Sequence, residues 1–88
     1  SNEEKRVIQS LIILNIDLIR LALQSGNETR YLAAVLALED KLIRYYQSAF
    51  NANEMLSKNI IILKRHRMNP TEIGMKDTLK IVDEMKNQ

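Results

Sequence analysis

Hydrophobic residues recur at helical spacing over long stretches of this 88-residue chain, and breaks between those stretches are few. The chain holds only two glycines and one proline, at Gly26, Gly74 and Pro70. Gly26 is placed to end a first helix, and Asn27 can cap the next one. The sequence therefore predicts a single all-α domain over residues 1–88. The first two residues, Ser1-Asn2, resemble the remnant of a cleaved tag. We therefore predict that the first helix begins near residue 3 and ends near residue 24.

The predicted first helix is apolar over about two-thirds of its circumference. Its apolar side chains fall into two stripes, whereas a helix with one partner needs only one. We therefore expect this helix to be contacted from two sides. The first stripe comprises Val7, Leu11, Leu14, Leu18 and Leu21, and the second comprises Ile8, Ile12, Ile16, Ile19 and Leu23.

No glycine or proline interrupts residues 27–69, and the apolar positions there follow a heptad spacing. This pattern favours one middle helix of about forty residues, roughly 60 Å long, in an antiparallel hairpin or bundle of three long helices. The alternative is a break near Asn51, because Asn51 and Glu54 have capping-box spacing. Four shorter helices would then form the bundle. The heptad positions are Tyr31, Val35, Leu38, Leu42, Tyr45, Ala49, Ala52, Leu56 and Leu63.

The segment 69–72 carries the signals of another helix start. Asn69 is an N-cap residue, Pro70 suits the first helical position and Glu72 stands three residues after the cap. We expect the last helix to end near residue 86.

The length of the middle helix bears on the oligomeric state. If it is continuous, the first and last helices lie end to end along it, and one stripe of the first helix stays in water. A homodimer would cover that stripe, and another helical protein is the alternative partner. We therefore predict a non-enzymatic α-helical protein–protein interaction and oligomerisation module, in which Leu14→Asp or Leu18→Asp disrupts assembly and fold together. The expected interface is the first stripe together with Tyr45, Tyr46 and Phe50.

Lys58, Lys64, Arg65 and Arg67 form a basic patch over residues 58–67. A small nucleic-acid-associated regulator is one alternative function, although the cluster could meet at most about four phosphates and no aromatic residue interleaves it. The simpler interpretation is that cations complement the C-terminal end of a helix dipole. Another alternative is a small immunity- or inhibitor-type helical bundle that binds one protein target.

Three polar residues, Asn15, Glu39 and Asn59, lie among apolar positions and are expected to be buried. A buried Asn can set the register and oligomeric state of packed helices. A buried carboxylate needs a partner, and Arg20 or Tyr46 could serve Glu39.

The remaining composition leaves little for catalysis. The absence of cysteine excludes disulfides and thiolate metal sites. The single histidine, His66, has Ile62 and Pro70 four residues away instead of metal ligands. We therefore predict neither an enzyme nor a bound cofactor or metal.

The net charge of +2 is too small to name a partner. The most apolar run, residues 7–23, is interrupted by polar side chains, so we expect no membrane span and a cytoplasmic protein. The interrupting residues are Gln9, Ser10, Asn15, Asp17 and Arg20.

Overall fold

Four α-helices make up the regular structure of the part of the chain that the structure describes. The computed structural model describes residues 1–66 and 75–87, without the side chains of residues 49, 50 and 75. The all-α prediction is confirmed, and α4 ends where the last helix was expected to end. The predicted helix start at 69–72 lies outside the described residues. The helices are α1 (Asn2–Gln24), α2 (Glu28–Ala52), α3 (Glu54–Arg65) and α4 (Met75–Lys86).

The predicted continuous middle helix is wrong, and the alternative with four helices is the one observed. Asn53 has an extended backbone (φ −96°, ψ 94°) between α2 and α3. Its side-chain oxygen accepts the backbone N–H of Leu56 at 3.0 Å, which satisfies one of the unpaired donors at the start of α3. The cap is thus Asn53, two residues beyond the predicted Asn51.

The heptad positions of α2 are not buried along the whole length of the helix. Its positions are buried as far as Leu42, but Tyr45 is exposed. At Tyr46 the backbone leaves helical geometry (φ −135°, ψ 34°), so α2 is kinked there. The apolar spacing is uninterrupted in the sequence, but among the described side chains of α2 the buried stripe ends at Leu42.

The ends of α1 follow local capping chemistry. Ser1 and Glu4 form a capping box, so the helix starts one residue before the predicted position. Gly26 adopts a positive φ of 69°, a conformation that glycine enters without steric cost. The side chain of Asn27 then accepts the N–H of Arg30 at 3.0 Å at the start of α2.

The core is built by all four helices. α1 packs against α2 and α4, α2 packs against α3, and the contact between α3 and α4 is the smallest. On α1 the core face is the second predicted stripe, of which the last three members are buried and the first two are half-buried. The buried apolar residues are Ile16, Ile19, Ala22, Leu23, Tyr31, Val35, Leu38, Leu42, Ile60, Leu63, Val82 and Met85.

Tyr31 joins three helices at one end of this core. Its ring is fully buried, and its hydroxyl donates to the carbonyl oxygen of Leu63 at 2.7 Å. The ring meets that of His66 edge-on, with centroids 5.5 Å apart. His66 Nδ1 in turn lies 3.0 Å from Oγ1 of Thr78 on α4. One buried aromatic residue therefore connects α2 with the end of α3 and, through the histidine, with α4.

We predict that Asn53→Ala lowers the free energy of unfolding by about 1 kcal/mol, because α3 loses its N-cap. Asn51→Ala is the matched control, since Asn51 is exposed in the last turn of α2. Urea denaturation followed by circular dichroism measures both variants. A larger loss for Asn51→Ala would contradict the observed boundary.

We predict that Tyr31→Phe costs about 1–2 kcal/mol, because a buried hydrogen bond to Leu63 is removed. Tyr45→Phe removes the same atom from an exposed ring and is expected to change stability by less than about 0.5 kcal/mol. The same urea titration compares the two variants, and equal losses would argue against the buried role of the Tyr31 hydroxyl.

Candidate interaction surface

The first predicted stripe of α1 lies on the surface. We call Val7, Leu11, Leu14, Leu18 and Leu21 the Leu stripe. Each of these side chains is between 45% and 61% exposed. They are spaced four and three residues apart in alternation, so they form one line about 21 Å long on the helix. Of the two apolar stripes of α1, the chain buries one in its core and leaves the Leu stripe in solvent.

The charged residues of α1 within this span point away from the Leu stripe. Arg20 pairs with Asp83, and Asp17 accepts from Lys86 at 2.7 Å, so both are directed towards α4. Two of the five polar interruptions seen in the sequence, Asp17 and Arg20, are therefore engaged away from the Leu stripe. As a result, the Leu stripe is a continuous apolar surface.

Among the described helices, α1 is the one that is long and apolar enough to cross a membrane by length and composition. Its most apolar window of 18 residues has a mean hydropathy of 1.6, and only 28% of that window is buried. The interrupting polar residues thus do not lower its hydropathy as far as expected. Burial in the core explains only part of the apolar character of α1.

Asn15 borders the Leu stripe on the side of α2, since Leu11 and Leu18 lie four residues before it and three after it. The Asn15 side chain is buried. Its Nδ2 donates to the carbonyl oxygen of Ala34 at 2.7 Å, and its Oδ1 accepts from Lys41 Nζ at 2.6 Å. Both hydrogen bonds are made within the chain, so Asn15 holds α1 against α2.

Glu39 is half-buried, and its ion-pair partner differs from both predicted candidates. Lys64 Nζ contacts its two carboxylate oxygens at 3.2 and 3.3 Å, which joins α2 to α3. Arg20 is engaged by Asp83 on α4 instead. Asn59 is buried on α3, and its Nδ2 has no hydrogen-bond partner within the described part of the chain.

Two of the predicted aromatic members of the interface lie on α2 in different environments. Tyr45 is exposed on α2, and Tyr46 is half-buried at the kink of that helix. The side chain of Phe50 lies outside the described residues. The heptad spacing predicts that Tyr45 is buried, and the kink at Tyr46 is not visible in the sequence.

The structure divides the predicted basic patch. Lys58 and Arg65 are exposed on α3, whereas Lys64 is turned towards Glu39 and Arg67 lies outside the described residues. The nucleic-acid hypothesis stays a prediction. Over residues 1–66 and 75–87, no group of three acidic or histidine side chains is arranged to hold a metal ion.

The chain matches no model of a known protein family, and neither the curated proteins nor the solved structures contain a significantly similar one.

We predict that Asn15 and Lys41 contribute to stability as a pair. A double-mutant cycle with Asn15→Ala and Lys41→Met is expected to give a coupling free energy of about 0.5–2 kcal/mol, because the half-buried ammonium loses its acceptor. The exposed pair Asp40–Arg44 provides the control cycle, with a coupling below about 0.5 kcal/mol. Urea denaturation measures all variants, and additive effects of Asn15 and Lys41 would contradict the pairing.

Proposed function

We propose that the protein is a non-enzymatic helical interaction module that associates with a second copy of itself through the Leu stripe. The observation that supports this function is a line of five large apolar side chains, each about half exposed, on a helix whose other apolar stripe is already in the core. Contiguous apolar surface of this kind is typical of sites of protein association.

The apolar surface of the Leu stripe can pack against the same surface on a second copy of the chain. A two-fold interface pairs the same surface from both chains, so each surface must be complementary to itself. An uncharged stripe of leucines with alternating four- and three-residue spacing meets this condition, because knobs from one helix can enter holes of the other. A partner recognised through charge would instead require charged groups along the stripe.

The exposed area of the Leu stripe determines how strongly two copies are expected to associate. Five half-exposed side chains offer on the order of 400–500 Å² per chain, against about 800 Å² per partner in a stable interface of standard size. Side chains that border the stripe would supply part of the difference. We therefore expect a dimer whose population rises with protein concentration.

The Leu stripe lies outside the core formed by the four helices. Loss of association is consequently expected to leave the fold intact, whereas the sequence alone led us to expect assembly and fold to fail together. Assembly and stability can thus be measured as separate quantities.

We predict that Leu14→Lys makes the protein monomeric, because a lysine in the stripe would bury an unpaired charge at the dimer interface. Sedimentation equilibrium over a concentration series measures the mass, and circular dichroism monitors helicity. Helicity and the urea midpoint are expected to remain close to those of the starting protein.

Leu36→Lys is the matched control, since Leu36 is exposed to a similar degree on α2. It should leave the association constant unchanged within twofold. A starting protein that stays monomeric up to millimolar concentration contradicts the proposal, and so does a dimer that Leu14→Lys does not weaken. Binding of that monomer to phospholipid vesicles would assign the stripe to a lipid surface instead.

A further inference from the structure

An open cavity of about 430 Å³ lies among the four helices, apart from the Leu stripe. This volume falls at the lower end of the range of about 300–1,000 Å³ for small-molecule sites. Its walls are mostly apolar and come from every helix. They include Ile12 and Ile13 of α1, Leu42 and Tyr46 of α2, Leu56 of α3 and Met85 of α4.

The cavity occurs where α2 departs from regular geometry. Tyr46, at the kink, and Asn53, at the break before α3, are both lining residues. Both points at which the chain bends therefore lie at the cavity. Water would find few hydrogen-bonding partners on such walls, since a buried water needs two to four polar groups.

Only a few residues that line the cavity carry polar groups. They are Gln9, Asn53, Lys86 and the hydroxyl-bearing Tyr46, and among the described lining residues Lys86 is the one that carries a charge. Lys86 Nζ already binds a carboxylate oxygen, that of Asp17, at 2.7 Å. This ion pair is about 40% exposed on both sides and therefore contributes little stability, so a ligand carboxylate can exchange with that of Asp17 for the ammonium group. An ammonium group also has three protons to donate.

We propose that this cavity binds an amphipathic carboxylate with a single aliphatic chain, as in a medium-chain fatty acid. The chain lies between Ile12, Leu42 and Leu56, and the carboxylate lies at Lys86. A neutral apolar ligand would not use the lysine, and a larger anion would exceed the cavity. The site does not depend on the dimer, because none of the Leu stripe lines it.

Methyl-resolved NMR of the full chain, titrated with decanoate below its micelle-forming concentration, tests the proposal. The expected result is a saturable shift of the Ile12, Ile13 and Leu42 methyl signals, with little change at Leu14 and Leu18. Shifts that do not saturate, or that concentrate on the Leu stripe, would overturn it.

Two variants sharpen the test. Ile13→Trp should fill the cavity mouth and weaken decanoate binding at least tenfold, whereas Ile43→Trp should not, although Ile13 and Ile43 are 43% and 44% exposed. Lys86→Gln should weaken binding of decanoate but not of decanol. Equal effects of the two tryptophans, or equal losses for acid and alcohol, would contradict the site or its anion preference.

The proposal of a dimer and the proposal of a ligand-binding cavity can be tested separately. Leu14→Lys should abolish association and still bind decanoate, and Ile13→Trp should keep the association constant of the starting protein. If Leu14→Lys alone removed decanoate binding, the ligand would belong to the interface and the cavity proposal would be wrong.

Discussion

The packing of α1 between α2 and α4 is the interaction on which the rest of the structure depends. Ile16, Ile19 and Leu23 are buried in the core, and Ile19 is completely inaccessible. The hydrogen bonds of Asn15 with α2 and the ion pairs of Arg20 and Asp17 with α4 are formed at one particular rotation of α1 about its axis. That rotation decides which of its two apolar stripes faces inward. The exposure of the Leu stripe is therefore a direct consequence of how the core is packed.

The features that could be predicted from the sequence are those encoded by local chemistry and by periodicity. The glycine and asparagine after α1, the second stripe of α1 and the heptad positions from Tyr31 to Leu42 all act through one helix or one turn. The break before α3 could not be chosen in the same way. Asn51 and Asn53 are both competent N-caps, and an apolar spacing that continues across them says nothing about which one leaves the helix.

The partners of the polar groups could not be predicted from the sequence, and the reason is different. Glu39 and Lys64 are 25 residues apart, and Arg20 and Asp83 are 63 apart, so each pairing exists only after the helices have been placed. The polar character of these positions was visible, but their orientation was not. Tyr46 is a further case, because it lies at a backbone distortion that the sequence does not signal and lines the cavity, while Tyr45 stays on the surface.

α1 serves as the common wall of two surfaces with different shapes. Ile13 lines the cavity and Leu14 belongs to the Leu stripe, and adjacent residues of a helix project about 100° apart. A ligand in the cavity would therefore contact a different flank of α1 from a second copy bound at the stripe. The two events need not compete for surface.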